Sequence, residues 1–510
     1  MCAPQLNSAV SWTDSDPTGG SRVRFFATCL AVALAMCSAA PAPAAGQSDQ
    51  PNVVLMLADN LGYGDVSSYN GGIRGGMSTP RIDRLASEGL RFTQFLVEPG
   101  CTPSRAGLLT GRYSVRSGLS LIIAPGGVNT LQPEEVTLGE LFKSVGYNTA
   151  YVGKWHLDAE PKSQPQNQGF DQWSVGFSGT TDVVLYGPTM AQAGVPEPMR
   201  KALEYWIVEA KGPGAPTRVR PYDLEYRRQI EADIARASVD YIRQQAAATS
   251  PFFLMVGWTR PHFPNDVGLE FAGKSGAGKY GDSVVELDQR TGEVLDAIAK
   301  AGIRDKTMVI FVSDNGPTAT GGALDELYSG DTGPFRGELG DAYEGSIRTV
   351  GMVSWPGTIR PSVTNEMIAI HDIFPTLAKI IGAEIPTDRP MDGVDQSAFL
   401  LGQQDTSNRD HLLTFIGDRL VAVRWKQWRV YPVEFLGTRG NPSTAGYVGT
   451  IRETAGYPQV YNIEADPKEQ VNVAHLNGWV VAPYLQLVSQ YQESLKKDPN
   501  PPAPNLTTFR

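Results

Sequence analysis

Cysteine is nearly absent from this chain. Among 510 residues only Cys2, Cys29, Cys37 and Cys101 carry a thiol, and the first three fall in an N-terminal stretch that reads as a removable leader. One remaining cysteine excludes an intramolecular disulfide framework. A lone exposed thiol in an oxidising compartment is a liability. Cys101 is therefore either buried and inert or chemically employed. Positive charge is the second shortage. The formal net charge is −10, and no basic run or basic amphipathic stretch is visible. That argues against nucleic acid or an anionic membrane as the main partner. An anionic substrate would need a local cluster of cations. Long apolar runs are also missing beyond the leader, so no integral membrane segment is expected.

The leader has an export pattern. Arg22 and Arg24 precede the apolar stretch FFATCLAVALAMCSAA, and APAPAAGQ offers small residues for cleavage near Ala44 or Ala45. Residues 1–45 are expected to be a signal peptide, and the protein to be periplasmic or secreted. Leu34–Cys37 faintly resembles a lipoprotein box. Met36 before the cysteine fits it poorly, so a lipid anchor is not expected.

Four apolar runs read as buried parallel strands: NVVLMLADN, NTAYVGKWH, PFFLMVGWTRPH and TMVIFVSDN. Helical patterns separate them: TPRIDRLASEGL, TLGELFKSVG, RRQIEADIARASVDYIRQQ and SVVELDQRTGEVLDAIAKAG. Such alternation marks an α/β protein, here with a large, mostly parallel sheet between helices. In that architecture ligands bind at the carboxyl ends of the strands. Each run has its polar residues there: Asp59-Asn60, Lys154 and His156, His262, and Asp314-Asn315. Two Asp-Asn pairs offer the oxygen ligands that a hard cation such as Ca²⁺ takes. Either pair alone reads more simply as a turn after a strand. Lys154 and His156 are two apart, so in a strand both would face one side. SRAGLLTG reads as a short helix with Cys101 just before it. A helix N-terminus attracts anions, and Arg105 adds a planar cation matched to an oxyanion.

Beyond about residue 400 the pattern shifts. HLLTFIGDRLVAVRWKQWRVYPVEF predicts short antiparallel strands, and APYLQLVSQYQESLKKD a helix. The expected organisation is a catalytic domain over 46–402 and a smaller C-terminal α+β domain over 403–510. Residues Phe177 to Tyr222 are rich in Gly and Pro and poorly periodic, and are expected to contain loops over the site that select the alcohol part of the substrate.

CTPSRAGLLTGR resembles the sulfatase signature. PNVVLMLADNLGYGD, GYNTAYVGKWHL, FVSDNG, YEGSIRTVGMVSWPG and HDIFPTLAKIIG resemble further blocks of that family in the same order. The resemblance implies an alkaline phosphatase-like fold and hydrolysis of sulfate esters, with an arylsulfatase-like enzyme in view. It implies oxidation of Cys101 to formylglycine by a maturase. One hydroxyl of the aldehyde hydrate would attack sulfur, and the second would later expel sulfate. Asp59, Asn60, Asp314 and Asn315 would hold Ca²⁺ rather than Mg²⁺, with residue 101 as a further ligand. Arg105 would orient the hydrate, Lys154 contact the sulfate, His156 contact the hydrate, and His262 protonate the leaving oxygen. The substrate would be a small-molecule or carbohydrate sulfate ester. Two positions depart from the family pattern. Asn60 stands where the family has Asp, and Leu339 where it often has a sulfate-binding Lys. Arg260 or Arg336 is expected to replace that cation. The nearest alternatives are a phosphodiester or phosphonate monoester hydrolase of the same fold, and a non-catalytic binding relative.

Overall fold

The four apolar runs lie together in the middle of one sheet. In the computed structural model, which describes residues 50–70, 78–123, 129–158, 160–318, 330–436, 451–454 and 456–502, the sheet has ten strands. They are β1 (Asn52–Asp59), β2 (Leu90–Leu96), β3 (Asn148–Lys154), β4 (Gln172–Phe177), β5 (Trp206–Lys211), β6 (Thr217–Pro221), β7 (Phe252–Pro261), β8 (Thr307–Ser313), β9 (Arg348–Ser354) and β10 (Ser362–Ala369). Their order is β10-β2-β9-β8-β1-β7-β3-β4-β5-β6. Within the sheet β9 and β5 run against the others. The expected leader lies outside the described residues, and so does most of the extended C-terminal tail.

Alternation along β1 explains the layers. Val54, Met56 and Ala58 point to one face, and Val53, Leu55 and Leu57 to the other. The first face is covered by α1 (Pro80–Ser87), and by two further helices over Ile230–Gln245 and Gly278–Lys300. The second is covered by α2 (Cys101–Thr110), α3 (Leu138–Ser144) and a helix over Ile373–Ile381. With both faces covered, the strands carry continuous apolar runs, and β7 and β8 are buried along their whole length. Helix α3 starts where a capping box sets it. Thr137 Oγ1 accepts from the Glu140 N–H at 3.3 Å, and Glu140 Oε2 accepts from the Thr137 N–H at 2.8 Å.

The C-terminal domain is a smaller antiparallel sheet of His411–Ile416, Arg419–Trp425, Trp428–Tyr431 and Gln459–Asn462, in that order. The helix Val481–Leu495 packs on it through Tyr484, and Val480 just before the helix is buried in the same cluster. Gly417 and Lys426 take positive φ values of 61° and 50° in the two short hairpin turns.

Between its loops the stretch from Phe177 to Tyr222 also carries regular elements. It holds a 3-10 turn at Thr181–Leu185, helices at Tyr186–Gln192 and Glu197–Ala202, and the β5–β6 hairpin. Strand β6 is largely exposed, so it has little apolar face to show as a pattern.

Candidate active site

The carboxyl ends of β1, β3, β7 and β8 meet the first turn of α2. Cys101 is the first residue of that helix, and all ten helical residues are buried. Ligand atoms of Asp59, Cys101 and His262 lie within 4.8 Å of one another. Close backbone approach lets the strand ends converge. A Cβ on Gly257 would meet the Lys154 carbonyl oxygen at 2.3 Å, and one on Gly153 would meet the Gly257 oxygen at 2.2 Å.

Opposite charges organise this floor. Lys154 Nζ lies 2.5 Å from Asp59 Oδ2, with both side chains buried. Arg105 donates through Nε to Asp314 Oδ2 at 3.1 Å, and its Nη2 lies 2.9 Å from the same oxygen. Arg105 Nη1 also donates to the Lys154 carbonyl at 2.7 Å, which locks the guanidinium between two strands. Burial pushes the Asp59 carboxyl up, but Lys154, His262 and Arg105 outweigh it and hold the group well below the usual carboxylate range. Asp314 moves the other way, up to about 6, through burial and the nearby Asp59 charge. For this tightly coupled pair, the first acid to ionise is Asp59.

Asn60 turns the chain at φ 64°, a left-handed conformation that Asn tolerates. Its N–H donates to Asp314 Oδ1 at 3.0 Å. Asn315 Nδ2 donates to Asn60 Oδ1 and to the Gly316 carbonyl, both at 2.7 Å. Asp59 Oδ1 and Asn315 Oδ1 are buried without a hydrogen-bond partner among the described residues. Buried oxygens normally have partners. Carboxylate and amide oxygens left over in this way are the donor set of a hard cation. Asp59 and Asn315 each keep such an oxygen, while those of Asn60 and Asp314 accept from neighbouring protein donors.

Strand β3 ends at Lys154, so the expected pairing of Lys154 and His156 by strand parity does not hold. Gly153 and His156 take φ values of 94° and 61°, which redirect the chain. The His156 ring is buried, with Nε2 3.3 Å from the Ile123 carbonyl. Its backbone carbonyl accepts from Thr102 Oγ1, 3.2 Å away in the first turn of α2. Burial, then Lys154 and Arg105, lower its pKa far below the usual histidine value. His262 is lowered too, by burial, against the opposing pull of Asp59. The Cys101 thiol is pushed up to about 12, first by burial.

Arg260 and Arg336 are not brought to this cluster. Arg260 is fully buried, with Nε 3.0 Å from Glu286 Oε2 and its other nitrogens on the carbonyls of Pro264, Arg227 and Asp266. A buried guanidinium needs those acceptors, and they commit four of its five N–H groups away from an anion. Arg336 stacks 3.9 Å over Tyr343 and donates to the Glu469 carbonyl at 3.3 Å. Leu339 is buried, and its N–H donates to the Pro317 carbonyl at 2.9 Å. The next N–H, of Gly340, reaches the Pro99 carbonyl at 2.8 Å. Residue 339 thus adjoins both the Cys101 loop and the chain just after Asn315.

Two supports carry no local sequence signal. Glu98 braces the chain before Cys101, bonding His371 Nε2 at 2.9 Å and the Ser114 N–H at 2.8 Å. Thr181 Oγ1 bonds His262 Nδ1 from 81 positions away. Only the folded sheet makes these neighbours.

Residues 51–383 match the Sulfatase family model. The chain is 34% identical to arylsulfatase A of Homo sapiens over 465 residues, covering 87% of each chain. It is 33% identical to steryl-sulfatase of Rattus norvegicus over 513 residues, covering 85% of this chain and 86% of the other. Its fold matches the crystal structure of PsFucS1 sulfatase from Pseudoalteromonas sp. with a TM-score of 0.82 and 30% identity, covering 89% of this chain and 92% of that one. The chain belongs to the sulfatase family, the sulfuric ester hydrolases.

Proposed function

We propose that this sulfate ester hydrolase works through residue 101 in its formylglycine form, beside a divalent cation, Ca²⁺ in preference to Mg²⁺. The observation that carries the reading is the convergence of Asp59, Cys101 and His262 within 4.8 Å at the strand ends, with Lys154 and Arg105 on the two carboxylates. A thiol pushed up to about 12 is protonated at neutral pH and makes a poor nucleophile. The hydrate of an oxidised residue 101 would supply a hydroxyl in its place. Asp59, Asn60, Asp314 and Asn315 would hold the cation, which would supply positive charge beside the reacting sulfuryl group. Lys154 and Arg105 orient and neutralise the anion, and His262 donates a proton to the departing oxygen. His156, held neutral, contributes a hydrogen bond to the hydrate.

A maturase would oxidise Cys101. The substrate would be a small-molecule or carbohydrate sulfate ester. We further take residues 1–45 as an export signal, residues 46–402 as the catalytic domain and residues 403–510 as the small domain. Among the described residues no helix is long and apolar enough to cross a membrane.

The test is a turnover screen of sulfate esters with protein whose residue 101 has been read by mass spectrometry and whose metal has been read by elemental analysis. Turnover should track the aldehyde fraction and about one bound divalent ion per active chain. Full turnover by metal-free protein with an unmodified thiol would refute the reading. Leu339 favours one second reading, hydrolysis of an aryl phosphodiester or phosphonate monoester, because neither Arg260 nor Arg336 takes the place of the missing lysine. Parallel assays on one preparation separate the two.

A further inference from the structure

We propose that Thr181 is a positioning residue that fixes the proton on Nδ1 of His262 and so reserves Nε2 for the leaving group. This role rests on the acid-catalysis reading of His262. The argument is a count of protons. Thr181 Oγ1 lies 2.5 Å from the Phe263 carbonyl. His262 Nδ1 lies 2.6 Å from the same carbonyl and also bonds Thr181 Oγ1. A carbonyl only accepts. The contact from Nδ1 therefore requires a proton on Nδ1, and the contact from the hydroxyl uses its single proton. The oxygen of Thr181 is then left to accept from Nδ1. Two protons serve the three contacts when the single Nδ1–H is shared between the Phe263 carbonyl and Thr181 Oγ1 while the hydroxyl donates to the carbonyl; an unprotonated Nδ1 would set its lone pair against that carbonyl.

The consequence lies at the other nitrogen. In the neutral ring Nε2 holds a lone pair, and in the imidazolium it holds the transferable proton. When the ester S–O bond breaks, its electron pair goes to the leaving oxygen. That oxygen takes the Nε2 proton, and the ring returns to the neutral Nδ1–H form. Solvent then restores the proton. Thr181 suits this task because it does not move with the ring. It is fully buried and belongs to the turn Thr181–Leu185, which follows β4, whereas His262 follows β7. The Phe263 carbonyl, by contrast, belongs to the residue next to the histidine.

The experiment compares the parent, Thr181→Val, Thr181→Ser and His262→Ala on two esters: a sulfate of an acidic phenol and an alkyl sulfate. Thr181→Val should lower kcat on the alkyl sulfate about 10- to 100-fold, the range for a lost hydrogen bond to a charged group. It should change the acidic aryl sulfate less than about threefold, because that leaving group needs no proton. KM should stay fixed, and Thr181→Ser should restore the parent pattern. Equal losses on both esters, or none on the alkyl sulfate, overturn the role of Thr181 while leaving that of His262 standing. His262→Ala losses that are equal for both esters, or a parent that turns over neither, overturn the acid-catalysis reading and this role with it. A second readout needs no variant of Thr181. The ¹⁵N spectrum of the parent, with His262 assigned by its loss in His262→Ala, should show a neutral ring protonated on Nδ1. A ring protonated on Nε2 overturns the proposal.

Discussion

Two of the buried ionic clusters among the described residues are put together differently. At the strand ends, Asp59 and Asp314 each meet one cation, Lys154 and Arg105. Between the large sheet and the small one, three arginines surround Glu344. Arg424 bonds its Oε1, Arg348 lies 3.4 Å from that oxygen, and Arg429 lies 3.6 Å from Oε2. Glu469 completes this second cluster, accepting the Glu344 N–H at 2.7 Å and bonding Tyr431. Arg424 also reaches Gln94 on β2 at 2.8 Å, so one residue of the small sheet ties into the large one. Both clusters contain atoms without a hydrogen bond. In the second, the unbonded Glu344 Oε2 and Arg429 Nη1 face each other as an ion pair. In the first, Asp59 Oδ1 and Asn315 Oδ1 face no donor among the described residues. Burial is common to both, and the difference is that one keeps acceptors in reserve. That reserve is what the proposed binding site has and the brace lacks.

The comparison can be broken most forcefully at its reactive end. Cys101→Ala should reduce turnover to background while leaving the melting temperature within a few degrees of the parent. Steady-state rates and a thermal melt on one preparation check both halves. Multiple turnovers by the alanine variant would remove residue 101 from the chemistry.

The brace should respond in the opposite sense. Glu344→Ala strands three buried arginines and should cost about 3–5 kcal/mol of stability, the usual penalty for removing one partner of a buried pair. Denaturant midpoints measure it. In the fraction that remains folded, kcat should stay near that of the parent.

The smallest effect is a pH dependence. Burial pushes the Glu469 carboxyl up to about 7, despite the opposing pull of Arg429. The native state therefore holds its proton more tightly than the unfolded chain, whose carboxyl titrates near its ordinary value. Stability from this group is complete below about pH 4.5 and is lost as pH rises through about 7. Glu469→Gln should flatten that decline, by at most ~3 kcal/mol across the window. Chemical melts at pH 5 and pH 8, parent against variant, measure it.

The reactive cluster was far more legible in the sequence than the brace. Strands β1, β3, β7 and β8 announce themselves because burial on both faces leaves unbroken apolar runs, and their polar ends mark the site. Arg260 was misjudged for the same reason. Two residues from His262 it resembles a site cation, but its partner Glu286 comes from another helix and nothing in RPHFP reveals it. Arg336 turns to the small domain through Tyr343 and Glu469 for reasons equally remote in sequence. Thr181 was hidden among the glycines and prolines of its stretch. Its importance depends on a ring 81 positions away.

The burial of Cys101 also sets a schedule. Its side chain is buried in the folded chain, so the maturase proposed above would have to act before that burial is complete. Arg105, one turn further along the same helix, cannot reach its partner Asp314 until the ribosome has added 209 more residues. At about 5–20 residues per second that takes roughly 10–40 s. During this interval CTPSRAGLLTGR lacks its partners on β8, and the oxidation proposed for residue 101 would have to be finished before β8 arrives.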